Sequence, residues 1–281
     1  MGCLQRFLCL CLLIAALPSC KKEEGKVPVL PFQASPVIKP LSPLLKEISG
    51  IADSEVNAGH LFAHEDGGNP AHLYLFNHEA QLVKTFYLDK VTNRDWEDME
   101  AFNKELFIAD IGDNNSNYNN YTIYRFPEPT LSNDTIKSIQ QINFTYPDGP
   151  HDAEAMIIDP LQKDIIIITK RDTLSAFYRL PFPYTNTTLQ KLGSLPYNGV
   201  TAAAISHDGT EILIKTYDKV RYYNRPPGKS ITDALASSFT QLPYVIEPQG
   251  ESISFKKDGK GYFTLSETGF ATTVNLYYYP R

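Results

Sequence analysis

The chain has 281 residues and a formal net charge of −6, a balance that lacks the basic face needed to hold phosphates, so no nucleic-acid partner is expected. Its 17 Tyr, 15 Phe and 20 Pro favour strands and turns over helices. All four cysteines, Cys3, Cys9, Cys11 and Cys20, precede residue 21, which excludes disulfides and cysteine-ligated metals from the rest of the chain.

Arg6, the apolar run 7–17 and Leu17-Pro18-Ser19-Cys20 read as a basic start, a short hydrophobic core and a small-residue cleavage region. The run is shorter than the roughly 20 apolar residues of a membrane-spanning helix, so residues 1–19 are predicted to be a secretion signal. The Leu-x-Ser-Cys ending resembles a bacterial lipoprotein box. That resemblance implies cleavage before Cys20, lipidation of its thiol and a place in the bacterial cell envelope as an outer-membrane lipoprotein. An ordinary signal peptide with a chance cysteine is the alternative. Residues 20–30 then form a flexible tether, with Lys21-Lys22-Glu23-Glu24-Gly25-Lys26 carrying charge and no apolar pattern. A Lys followed by paired acids resembles a surface-export signal of some bacterial lipoproteins; a plain solvated linker reads equally well. The folded domain is expected over residues 31–281.

Five strand starts align within it: Ser49-Gly50-Ile51-Ala52, Glu97-Asp98-Met99-Glu100, Glu154-Ala155-Met156-Ile157, Thr201-Ala202-Ala203-Ala204 and Glu251-Ser252-Ile253-Ser254. They recur roughly every 50 residues, a period that signals a propeller. Each is followed by a second strand (61–64, 106–109, 165–169, 212–215, 262–265), with turns such as His207-Asp208-Gly209 and Lys257-Asp258-Gly259 between the pairs. Third strands at 73–76, 123–126, 177–180, 221–223 and 276–279 carry aromatics at matching places, suited to packing between blades. Fourth strands are predicted at 82–88, 139–146, 189–195 and 239–245, and one helix at 231–237.

The fifth copy ends one strand short, and an unpaired edge invites aggregation. Segment 32–41 is expected to close the ring there, its prolines confining it to an outer edge. The fold class is therefore all-β, a single β-propeller of five four-stranded blades with six as the alternative, expected to be a monomer.

Glu47-Ile48-Ser49-Gly50-Ile51-Ala52, Asp95-Trp96-Glu97-Asp98, Asp110-Ile111-Gly112-Asp113-Asn114, Tyr124-Arg125-Phe126-Pro127-Glu128-Pro129, Asp152-Ala153-Glu154-Ala155, Thr169-Lys170-Arg171 and Gln249-Gly250-Glu251-Ser252 together resemble secreted bacterial β-propellers of the phytase-like, or "esterase-like activity of phytase", group. The resemblance covers about residues 47–281 and implies a propeller with a phytase-like or esterase-like hydrolase activity.

In a propeller the strand starts converge on the channel mouth, which places Glu97, Glu154 and Glu251 together, with Ser49 and Thr201 completing the ring. Around them would stand His64-Glu65-Asp66, Asp110, Asp113, Asn114, Lys170, Arg171, Lys215 and Glu267. Close carboxylates raise one another's pKa and call for a cation. Oxygen ligands without Cys or paired His point to a hard ion such as Ca2+, sought first at Asp110, Asp113, Asn114 and Glu97.

Glu97, Glu154, Glu251 and His64 are the candidate catalytic groups. Lys170, Arg171, Lys215 and Glu267 are the candidate substrate-binding groups, the cations suited to a small anion. Each has a structural alternative: backbone hydrogen bonds for the glutamates, internal ion pairs for the cations, an Asx-stabilised loop for Asp113 and a structural hydrogen bond for His64. No Gly-x-Ser-x-Gly elbow, His-Glu-x-x-His pair or phosphate-cradling loop is present. Two functions follow as expectations: a hydrolase of phosphate esters or related anions with a calcium-containing mouth, or a non-catalytic propeller that binds a glycan, peptide or protein.

Overall fold

The computed structural model describes residues 30–41, 45–269 and 271–281; the predicted signal peptide, Cys20 and the predicted tether up to residue 29 lie outside them. Pro31–Arg281 form one compact unit. Five antiparallel blades, each begun by one of the five aligned segments, form a five-bladed β-propeller. Their innermost strands, Ile48–Asp53, Trp96–Phe102, Ala153–Ile158, Val200–Ile205 and Gly250–Phe255, each neighbour the next, and the last returns to the first.

The apolar runs explain the blades. Side chains alternate across a strand, and here both faces of a blade are covered by its neighbours. In Glu105–Asp110, Leu106 and Ile108 enter the core shared with the first blade, whereas Phe107 and Ala109 enter the core shared with the third. In Ile165–Thr169 the same split sends Ile165 and Ile167 one way and Ile166 and Ile168 the other. Five such cores, one between each pair of blades, hold the ring. The third-strand aromatics Tyr74, Tyr124, Tyr178, Tyr223 and Tyr277 lie in them, so the rings pack blade on blade.

One irregularity repeats in all five blades. The ladder between first and second strands slips by one residue at the start, between Ile48 and Gly50, Trp96 and Asp98, Ala153 and Ala155, Val200 and Ala202, and Gly250 and Ser252. The extra residue of each β-bulge is Ser49, Glu97, Glu154, Thr201 or Glu251, the first residue of each aligned repeat. A bulge re-aims its side chain and leaves backbone groups without ladder partners. Neighbouring blades take those groups up: Ser49 Oγ donates to the Glu97 carbonyl at 2.9 Å, and Thr201 Oγ1 to the Gly250 carbonyl at 3.1 Å.

The fourth strands run at Leu82–Leu88, Gln140–Thr145, Gln190–Ser194 and Thr240–Leu242, and the helix over Ile231–Leu235, inside the predicted spans. Val37–Pro40 pairs antiparallel with Asn275–Pro280 and closes the ring as the fourth strand of the last blade. Two short strands were not predicted. Thr135–Ile136 and Thr187–Thr188, in the connections before the outer strands of blades two and three, pair in parallel with the outer strand of the preceding blade.

Phe32 anchors the closure. It is buried against Tyr262, with centroids 4.9 Å apart, and lies beneath the Arg281 guanidinium at 4.5 Å. The Gln33 amide donates to the Pro280 carbonyl at 2.7 Å. Phe32→Ala is expected to lower stability by about 3 kcal/mol, the cost of emptying a large buried aromatic site, as read by urea unfolding; a change below about 0.5 kcal/mol would show that the closing strand does not depend on this contact.

Candidate functional site

The bulges bring Glu97, Glu154 and Glu251 to one end of the channel, all three buried. Two groups of oxygens form there, Asp66, Asp95 and Glu97, and Glu97, Asp152 and Glu154, with the oxygens of each group within 4.8 Å of one another. These buried acidic groups could hold a metal ion. Asp95 and Asp152 each precede a bulge by two residues, and Asp66 follows the second strand of blade one. From the sequence Asp66 is expected at the rim, and Asp95 and Asp152 belong to the repeated motifs, but none of the three is among the expected ligands. Their signal was that position next to the strand starts.

Two glycine loops close over the acids. A Cβ on Gly112 would stand 2.2 Å from Glu97 Oε1 and 2.5 Å from Asp95 Oδ2, and one on Gly67 would stand 2.3 Å from Asp95 Oδ1. Gly112 is required here for its missing side chain. The Asp95 carbonyl accepts from the Ile111 and Gly112 amides at 3.2 and 3.1 Å, which fixes that loop against the site.

Other candidate residues are occupied by the protein itself. Asp113 caps its own loop: Oδ1 accepts from the Asn117 amide at 2.7 Å, and Oδ2 from the Tyr118 amide and the Tyr121 hydroxyl, both at 2.9 Å. Asp110 Oδ1 accepts from the Asp95 amide at 3.0 Å, and Asn114 receives Arg171. The structure thus brings Glu97 into the acidic groups but leaves Asp110, Asp113 and Asn114 outside them. His64 is fully buried beneath Gly50 and edge-on to Trp96, with its Nδ1 3.1 Å from the Glu65 carbonyl. Burial lowers its pKa to about 4.

The cations are paired internally. Lys170 Nζ bonds Glu154 Oε1, donates to the Tyr217 hydroxyl at 2.9 Å and stands 3.8 Å from Glu251 Oε1. Lys215 is enclosed 3.9 Å from Glu247 Oε2 and donates to the Gly250 carbonyl; burial lowers its pKa against the pull of Glu247. Arg171 Nε lies 2.6 Å from Asp152 Oδ2, and its side chain is 52% exposed at the rim. Tyr217, which the sequence did not single out, donates to Glu251 Oε1 at 2.6 Å and so links the Lys170 pair to Glu251. Glu267, also buried, neighbours Glu251.

Acids outnumber cations at this mouth, and the pKa directions follow. Burial, then Glu154, pushes Glu97 well above the carboxylate range. Burial raises Glu154 to about 8 against the Lys170 ammonium, and burial with Glu251 raises Glu267 to about 9. Asp66 rises to about 7 and Asp95 to about 6, again mainly through burial. A glutamate oxygen, Glu154 Oε2, is buried with no hydrogen-bond partner among the described residues.

A five-bladed β-propeller with a buried acidic channel mouth is the class these features define. No protein-family model matches the chain, and no curated protein matches its sequence. Among solved structures it is similar to a luciferin-regenerating enzyme, at 10% identity over 88% of this chain and 96% of that one with a TM-score of 0.53. A gluconolactonase from Xanthomonas campestris (10% identity, 83% and 72% covered, TM-score 0.47) and hydrazine synthase from Kuenenia stuttgartiensis (11%, 82% and 70%, 0.44) are also similar. At these identities the likeness is one of fold.

Because Glu97 and Glu154 titrate higher folded than unfolded, the native state binds more protons than the unfolded chain above about pH 4.5, their ordinary value, in the case of Glu154 up to about 8. Their contribution is present at low pH and is lost as pH rises through that window. Metal-free protein is therefore expected to lose on the order of 3 kcal/mol between pH 5 and pH 8, read by chemical unfolding with chelator present. Stability that rises over this range would contradict the assignment.

Proposed function

We propose that the chain is a lipid-anchored propeller of the bacterial outer membrane, tethered through Cys20, whose acidic mouth binds calcium and hydrolyses a small phosphate ester or related anionic substrate. Glu154 Oε2 is the observation that carries the cation. A carboxylate oxygen without a partner among the described residues is costly to bury, and Glu154 offers an oxygen within 4.8 Å of oxygens from Glu97 and Asp152. The donor set is oxygen alone, which suits a hard ion with flexible geometry.

Glu97, Asp152 and Glu154 would hold the ion, with Asp66 and Asp95 beside them. When bound, calcium would supply electrostatic stabilisation to an anionic substrate. Arg171, half exposed at the rim, would orient the substrate's anionic group. Glu251 would accept a proton from an attacking water, its orientation supported by the contacts from Tyr217 and Lys170. The motifs shared with phytase-like propellers support the same reading.

The second reading is a binding propeller that recognises a glycan, peptide or protein without turnover. It is supported by the pairing of Lys170 and Lys215, which leaves Arg171 as the exposed member of the three predicted substrate cations.

Calcium at a hundredfold over its dissociation constant is expected to raise the melting temperature of chelator-treated protein by about 5–10 °C, and Glu154→Gln is expected to abolish most of that rise. No shift with calcium would sink the metal site. In a panel of phosphate and carboxylate esters, turnover that depends on both calcium and Glu154 supports hydrolysis, whereas calcium binding without turnover supports the binding reading.

A further inference from the structure

The face opposite the acidic mouth carries a cavity of about 500 Å³, of the size that takes a small metabolite. It lies where the inner strand of blade one ends, beneath the first hairpins of blades two, four and five, with Asp53, Glu55, Lys104, His207, Lys256, Lys257 and Asp258 in its wall. Its formal charges balance, but its acids are already occupied.

Asp53 Oδ1 lies 2.6 Å from His78 Nε2, and its Oδ2 accepts from the Lys257 amide at 2.8 Å. Glu55 accepts from the Lys104 amide at 2.7 Å and from Lys257 Nζ at 3.3 Å. Asp258 accepts from Lys256 and from the Lys260 amide. The donors are in surplus. Among the described residues neither the Lys104 ammonium nor the His207 ring has a hydrogen-bond or ion-pair partner, and both residues are exposed. Lys256 and Lys257 have hydrogens left over after these contacts.

A second observation concerns how Lys104 is held. Asn103 and Lys104 form the two-residue turn between the first two strands of blade two, with φ of 55° and 62°. Both are left-handed, as in a type I′ hairpin, where glycine is preferred at the second position. A lysine there adopts a backbone that L-residues resist, and strained positions of this kind cluster at functional sites. Lys104 lines the cavity.

We propose that this cavity is a second ligand site, for a small multivalent anion bearing two or more carboxylate or phosphate groups, with Lys104 and His207 as its principal donors and Lys256 and Lys257 behind them.

Glycine at position 104 suits the turn and removes the ammonium, which separates a binding role from a folding role. Titration calorimetry of the full chain with citrate and with pyrophosphate, in metal-free buffer at constant ionic strength, is expected to show saturable binding of at least one probe. Lys104→Gly is expected to weaken it at least tenfold without lowering the melting temperature, and His207→Ala to weaken it as well. The probe that binds more tightly assigns the carboxylate or the phosphate class. No saturable binding of either probe, or binding unchanged by Lys104→Gly, would overturn the proposal.

Discussion

One extra residue at the start of each inner strand is the constraint on which the structure depends. Without it the ladders would continue in register, and the side chains of residues 49, 97, 154, 201 and 251 would follow the ordinary alternation. With it, the bulged residue turns its side chain to the channel mouth and leaves a carbonyl for the neighbouring blade to bind. Ser49 and Thr201 serve as interblade donors there. Glu97, Glu154 and Glu251 bring charge instead. The same local device therefore ties the blades to one another and concentrates carboxylates at one end of the ring.

That concentration has an energetic consequence. Buried acids at this spacing raise one another's pKa and resist full ionisation, and Lys170 and Arg171 do not match their number. A buried lysine compensates Glu154 and, through Tyr217, steadies Glu251, but among the described residues the Glu97 carboxylate has only the weak 3.4 Å contact from Ser49 Oγ to its Oε2. The glycine loops at Gly67 and Gly112 press on Asp95 and Glu97 at distances no side chain would permit. Such close backbone approach over crowded carboxylates fits a site shaped around something the protein itself does not provide.

Much of this was legible from the residues. The repeat was visible because the bulge fixes one position in every blade. Closure was visible because the fifth copy ends one strand short, and the outer strand arrives as Val37–Pro40. The parallel pairings of Thr135–Ile136 and Thr187–Thr188 were not legible, since two residues show no periodicity. Asp113 and Asn114 are candidate ligands by composition, but an acid that caps its own loop reads in sequence like one that faces a metal; the amides of Asn117 and Tyr118 on Asp113 are visible only in the fold. Asp66, Asp95 and Asp152 come from separate loops and meet only after the ring closes. Tyr217 and Lys104 sit on tight turns whose geometry no hydropathy pattern records.

The central claim is that the bulged glutamates create a cation site between blades two and three. Anomalous diffraction from crystals grown with calcium tests it most directly. The expected result is an ion bound by Glu97, Asp152 and Glu154 oxygens at about 2.3–2.6 Å. An ion held instead at Asp113 and Asn114, or no ion at saturating calcium, would contradict it.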